Sequence, residues 1–285
     1  MITKTIYLNE DKSVYLNAYL FEKSAEMPYN DKRPAVVVCP GGGYWFCSSR
    51  EADPIALNFA SQGYNTFVLY YTIKEKAVFP ASLIDLCKTM KLIRENADEW
   101  GIISDQIAVC GFSAGGHLTA SLGTYWSDPE IMKLSGCENG ENKPNAIILG
   151  YPVISTSWLE NSESDAKRLV GENDYDTVYK KLNLHANVNE NNPPAFIFHT
   201  FKDNAVPVED SLLFAKAMAD KNLPFELHIY PNGQHGLSLA TAKVGFSDPD
   251  VAGWMKLCTN WLERLFNNPD EANAPINRAL YSAKL

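Results

Sequence analysis

The sequence predicts a doubly wound, mostly parallel α/β sheet of about eight strands, opened by an N-terminal antiparallel hairpin. Three observations carry this expectation. Short apolar, β-rich runs recur along the chain, stretches with helical spacing lie between them, and only the first two candidate strands alternate apolar and polar residues. Alternation belongs to a strand with one wet face, whereas continuous apolarity belongs to a strand covered on both faces.

In chain order, residues 2–8 and 14–21 alternate and are separated by Asn9, Glu10, Asp11 and Lys12, which suits a hairpin at a sheet edge. Buried strands are expected at 35–39, 65–71, 106–110, 146–149, 195–200 and 225–230. Leu83, Leu86, Met90, Ile93, Ala97 and Trp100 recur every three or four positions, as one face of a helix does. Val251, Trp254, Met255, Cys258, Trp261, Leu262 and Leu265 lay a second, wider apolar stripe for the last helix. Strand and helix alternate, which requires crossover connections.

Residues 151–194 break the rhythm with a polar stretch and an Asn- and Pro-rich run. They follow a strand end, where open α/β sheets place ligands, so a small cap over a site and a plain surface excursion both fit. The expected organisation is one domain over 1–285, with 151–194 as an insertion and 267–285 as a C-terminal tail. With 285 residues, 46% of them hydrophobic, the chain can bury a large core without staples.

A formal charge of −9 repels phosphate backbones and anionic headgroups, so neither nucleic acid nor a membrane surface is an expected partner. No apolar run approaches the ~20 residues of a bilayer span. Residues 1–10 lack the pattern of a secretion signal, which makes the cytoplasm the expected compartment. The six cysteines include no C-x-x-C pair and read as reduced packing residues. The five histidines show no H-E-x-x-H or H-x-H spacing, so no metal site is expected.

Chemistry concentrates at Gly111-Phe112-Ser113-Ala114-Gly115-Gly116, which leaves the strand at 106–110 and opens a helix-compatible run. In that context a serine sits on a sharp, strained turn, and flanking glycines remove Cβ atoms that would collide. Ser113 is therefore the candidate nucleophile, and a helix beginning there directs its N-terminal dipole at any anion formed nearby. A serine needs a base, and the base needs an orienting group. His235, just past the strand at 225–230, and Asp203, just past the strand at 195–200, occupy loops at strand carboxyl ends, where side chains converge. His199 and His228 fall within strands, His117 lies one turn deeper on the serine's helix, and His185 sits in the insertion. Asp174, Asp176 and Glu209 are rival acids.

Cys39-Pro40-Gly41-Gly42-Gly43-Tyr44-Trp45 follows another strand end. Successive glycines let N–H groups turn toward one point, so Gly42 and Gly43, with Ala114, are candidate oxyanion donors. The same glycines also suit a simple tight turn. Tyr44, Trp45 and Trp158 are candidate substrate-binding aromatics, and they fit a core role equally well.

With these motifs in view, the chain resembles the α/β-hydrolase superfamily, and within it esterases with an H-G-G-G loop, including the hormone-sensitive-lipase-like group. Pro40-Gly41-Gly42-Gly43-Tyr44, Arg50-Glu51-Ala52-Asp53-Pro54-Ile55-Ala56 and Gly111 to His117 look like bacterial acetylesterases and acetylxylan-esterase-like proteins. Cys39 stands where the broader group carries histidine. The resemblance implies the order nucleophile, acid, histidine, which Ser113, Asp203 and His235 satisfy. It also implies hydrolysis of short acyl esters, acetyl foremost, through an acyl-enzyme, with a small-molecule or oligosaccharide ester such as an acetylated xylo-oligosaccharide as substrate. No metal or organic cofactor is then required. Formamidases and prolyl-oligopeptidase-like peptidases share parts of the pattern, and a ligand-binding homologue without catalysis is a further alternative. The apolar helical faces and the two-stranded edge are compatible with a homodimer and with a monomer alike.

Overall fold

The computed structural model describes residues 1–27, 31–156 and 168–268. Trp158 and most of the expected C-terminal tail lie outside the described residues.

The hairpin forms as expected: β1 (Ile2–Tyr7) pairs antiparallel with β2 (Tyr15–Leu20). On β2 the side chains of Leu16, Ala18 and Leu20 are buried while Tyr15, Asn17 and Tyr19 are half-buried, which is the alternation read from the sequence. β2 then lies antiparallel to β4 (Asn65–Tyr70). The remaining strands are all parallel: β3 (Arg33–Cys39), β5 (Ile102–Phe112), β6 (Ala146–Gly150), β7 (Ala195–Thr200) and β8 (Phe225–Tyr230). The eight strands run in the order β1-β2-β4-β3-β5-β6-β7-β8. The chain steps from β3 to β4 on one side and then crosses back to β5 on the other, which puts the loop after β3 beside the loop after β5.

Helices cover both faces. In chain order they are α1 (Asp53–Ser61), α2 (Ala81–Glu95), α3 (Ala114–Tyr125), α4 (Pro129–Ser135), α5 (Tyr175–Leu182), α6 (Glu209–Asp220), the single turn α7 (Pro249–Ala252) and α8 (Trp254–Asn267). Strand β3 shows why its sequence had to be apolar throughout. Val36 and Val38 pack with Ile55 and Phe59 of α1 and Trp254 and Leu262 of α8, whereas Val37 and Cys39 face Leu86 and Met90 of α2 and Leu118 of α3. Trp254 is fully buried and stacks on Phe198 with ring centroids 4.4 Å apart. Removing such a ring costs about 3–5 kcal/mol.

Two expected helices are shorter than their apolar stripes. α2 stops at Glu95, and Ala97 and Trp100 continue the buried face from a turn that Gly101, at φ 61°, reverses into β5. The stripe at 251–265 is split at Gly253 into α7 and α8, with the Asp248 carboxylate accepting from the N–H groups of Asp250 and Val251 at the first turn. Apolar spacing reports which side chains are buried, and a turn can keep them buried as well as a helix can. All six cysteines are unbridged. Among the described residues, no helix is long and apolar enough to cross a membrane.

Candidate active site

The carboxyl ends of β5, β7 and β8 bring three distant side chains together. Ser113 sits between β5 and α3 at φ 52° and ψ −119°, a left-handed conformation that a non-glycine residue holds only under constraint. Its neighbours impose the turn. A Cβ at Gly115 would strike the carbonyl oxygens of Cys39 and Pro40, so only glycine lets α3 start this close to the end of β3. A serine preceding a helix ordinarily caps the first turn with its hydroxyl. Ser113 makes no such bond; its Oγ lies 2.8 Å from His235 Nε2 instead.

His235 Nδ1 is 2.7 Å from Asp203 Oδ2, and the Asp203 side chain is 1% exposed while that of His235 is 21% exposed. The imidazole thus reaches solvent and the carboxylate does not. Asp203 is held by its own turn, with Oδ1 accepting the N–H groups of Ala205 and Val206 at 2.9 Å each. Burial pushes its carboxyl up, but hydrogen bonds from His199 and His235, the charge of His235 and the Val206 N–H more than offset this and hold it well below the usual carboxylate range. Two ties fix the acid loop to the histidine loop: Thr200 Oγ1 donates to Gly233 O at 2.9 Å, and the His235 N–H donates to Asn204 Oδ1 at 3.2 Å.

The glycine turn after β3 lies against the serine. A Cβ on Gly41 would come within 3.0 Å of Ser113 Cβ. Gly42 and Gly43 adopt φ 128° and 61°, and Gly42 O accepts the Trp45 N–H at 2.9 Å, which closes the turn. The Gly41 N–H is already taken, donating to Glu51 Oε2 at 2.9 Å. Ala114 opens α3, so its N–H has no acceptor within the helix.

The aromatic candidates separate. Tyr44 is 4% exposed, with its hydroxyl on His117 Nδ1, whereas Trp45 is 43% exposed with the Arg168 guanidinium 4.1 Å from its ring centre. Arg168 Nη2 also donates to Gly43 O at 2.6 Å, tying the segment after 167 to the turn. Three of the other four histidines are otherwise engaged, and His185 lies in the short helical turn Leu184–Asn187. His117 is buried between Tyr44 and Leu182 O, and His228 pairs with Glu226. His199 is fully buried, with Nδ1 2.8 Å from Ser211 Oγ and Nε2 3.4 Å from Asp203 Oδ2. Of the rival acids, Asp174 caps α5 by accepting the Thr177 N–H, and Asp176 and Glu209 lie in the first turns of α5 and α6. Among the described residues, no group of three His, Cys, Asp or Glu side chains is arranged to hold a metal ion.

Sequence reasoning did not single out Glu51, Tyr151 or Asn204. Glu51 and Tyr151 stand 100 positions apart and share a hydrogen bond of 2.7 Å. The available signal was a carboxylate directly after the glycine turn, in the stretch that carries part of the resemblance.

The chain matches the BD-FAE family over residues 25–218 and the dienelactone hydrolase family over residues 178–265. It is 36% identical over 236 residues to endo-1,4-beta-xylanase B of Butyrivibrio fibrisolvens, covering 79% of this chain and 35% of that protein. It is 28% identical over 262 residues to an acetylxylan esterase of Xylanibacter ruminicola, covering 88% of this chain and 50% of the relative. The chain therefore spans only a third to a half of the length of these curated relatives. Among solved structures it is similar to MGS-M1, an alpha/beta hydrolase enzyme from a deep-sea metagenome library, at 36% identity and a TM-score of 0.77, covering 94% of this chain and 98% of that one. The acetyl ester-xyloside bifunctional hydrolase from Caldicellulosiruptor lactoaceticus is similar at 34% identity and a TM-score of 0.76, covering 92% and 96%. With more than half of its residues inside the family match and the sheet, helices and turn in place, the chain belongs to the BD-FAE family of α/β-hydrolases.

Proposed function

We propose that this chain is a serine carboxylesterase that removes short acyl groups, acetyl foremost, from carbohydrate esters such as acetylated xylo-oligosaccharides. The observation that carries this reading is the unbroken relay from Ser113 Oγ through His235 to the buried Asp203, beside the glycine turn. As Ser113 Oγ attacks the ester carbonyl, His235 Nε2 takes its proton, and Asp203 fixes the tautomer and stabilises the imidazolium. The oxyanion of the tetrahedral intermediate is held by N–H groups of Gly42 or Gly43 and of Ala114. Collapse returns the proton to the departing sugar hydroxyl and leaves the acyl group on Ser113. Water, deprotonated by His235, then attacks that acyl group and releases the carboxylic acid. None of these steps requires a metal or an organic cofactor.

The acetyl and sugar assignment is supported by two relatives whose names carry acetylxylan or acetyl ester-xyloside hydrolysis. Exposed Trp45, with the neighbouring exposed Phe46, offers flat apolar surface next to the glycine turn for the leaving sugar. Of the insertion expected at 151–194, residues 157–167 lie outside the described residues; we assign the part from residue 168 onward the role of a small cap, on the strength of the Arg168 contacts with Gly43 and Trp45. A substrate panel tests the reading: p-nitrophenyl esters of increasing acyl length, acetylated xylo-oligosaccharides, N-formylkynurenine and dipeptide amides, followed by released acid. Fastest turnover of acetyl esters, with acetate released from the oligosaccharides, is expected. Fastest turnover of the formamide or the amides would overturn the substrate assignment.

A further inference from the structure

A buried polar chain runs behind the serine, and none of the steps above uses it. Glu51, 2% exposed, ends the short helical turn Ser49–Glu51 that follows the glycine turn. Its Oε2 accepts the Gly41 N–H, and its Oε1 accepts the Tyr151 hydroxyl. That hydroxyl accepts the Ser238 N–H at 2.8 Å, three residues beyond His235, and the Tyr151 ring stands edge-on to the His235 imidazole with centroids 5.1 Å apart. Ser238 Oγ donates back to Arg50 O at 2.5 Å, and Trp254 Nε1 donates to Ser238 O at 2.9 Å. One carboxylate is therefore bound to the turn that carries Gly42 and Gly43 on one side and to the loop that carries His235 on the other.

Burying a carboxylate this completely is unfavourable, and burial pushes the Glu51 carboxyl up against the opposing pull of Tyr151 and Gly41. An apolar residue would cost less if packing were the only requirement. What the carboxylate adds is geometry. Gly41 backs directly onto Ser113, so small shifts of Gly41 move the following amides relative to the reacting carbon. Misplacing a catalytic group by about 1 Å can cost about a hundredfold in rate.

We propose that Glu51 is a positioning residue, which holds the amide-bearing turn at 41–46 and the His235 loop in register across the nucleophile. The inference rests on the esterase reading above. Glu51→Gln keeps the shape but must aim an amide N–H either at the Gly41 N–H or at the Tyr151 oxygen, which already accepts from Ser238. The expected result is a kcat for p-nitrophenyl acetate lowered about ten- to a hundredfold with KM within about threefold. The affinity for a trifluoromethyl ketone, which forms a tetrahedral oxyanion on the serine, should fall in parallel with kcat/KM.

Tyr151→Phe keeps the Gly41 bond and removes the link to Ser238, so it should show a smaller loss confined to kcat. It carries the test if Glu51→Gln does not fold. Folded Glu51→Gln protein, or in its absence Tyr151→Phe, with wild-type kcat and wild-type ketone affinity would overturn the proposal. Activity that survives Ser113→Ala would sink the esterase reading and the inference with it. Activity that depends on Ser113 but is indifferent to Glu51→Gln and Tyr151→Phe sinks the inference alone.

Discussion

The hydroxyl of Tyr44 and Nδ1 of His117 lie 2.9 Å apart in the core behind the glycine turn, with Nε2 of the same ring 3.0 Å from Leu182 O. A neutral imidazole satisfies both partners, donating to the carbonyl and accepting from the hydroxyl. Burial lowers His117 to about 4, against the opposing pull of the Leu182 carbonyl.

Stability should therefore fall in mildly acidic solution. The unfolded chain binds a proton at His117 below about pH 6.5 while the folded chain refuses it down to about pH 4, so the contribution is complete above 6.5 and is lost as pH drops through this window. The loss from this one group is of order 3 kcal/mol. Asp203 acts in a lower window, because its depressed carboxyl gives up stability only below the ordinary carboxylate range. Urea unfolding at pH 7 and pH 4.5 measures the slope, and His117→Gln should flatten it while lowering stability at pH 7. Equal slopes in variant and wild type would count against this account of His117.

Ser113 holds its left-handed backbone at a cost of about 1–3 kcal/mol, part of which glycine would regain. Ser113→Gly should raise the stability by about 1 kcal/mol, after the entropy that glycine adds to the unfolded chain. The denaturant midpoint reads the gain, and esterase activity should vanish. An unchanged or lowered midpoint would mean that the turn is not strained.

Asp203→Asn leaves the shape of the acid loop but turns an amide toward one of its four donors: His235, His199, or the N–H groups of Ala205 and Val206. The wrong imidazole tautomer then predominates, and kcat should fall by about a thousand- to ten-thousandfold with little change in KM. Steady-state kinetics on p-nitrophenyl acetate decide it. A loss under tenfold would assign the orienting role to another residue.

Much of this arrangement was legible in the chain. The run Ala35 to Cys39 had to be a doubly covered strand because each of its residues is apolar, and Val36 and Val37 indeed face opposite layers. Ser113 and Asp203 could be picked out because each follows such a strand; His235 follows β8, which was expected to be buried but lies at the sheet edge, where only one neighbouring strand covers it, and is half-buried with Ile229 exposed. The Glu51 network was not legible, because Tyr151 reaches Glu51 across 100 positions and Ser238 reaches Tyr151 across 87, and spacing within one element carries no record of which loops meet. Nor does an apolar stripe distinguish a helix from a turn, which is why α2 ends at Glu95 although Trp100 remains buried. Tyr44 shows the same limit: beside exposed Trp45 in sequence, it points into the core.

The proposed role of Ser113 admits the most direct measurement. Wild-type protein is treated with paraoxon, its residual hydrolysis of p-nitrophenyl acetate is followed, and its peptides are examined by mass spectrometry. The expected result is one diethylphosphoryl group per chain, on the peptide containing Ser113, with activity lost in proportion to labelling. Activity that persists in fully labelled protein, or complete inactivation with Ser113 unmodified, would contradict the assignment of Ser113 as the residue that attacks the ester.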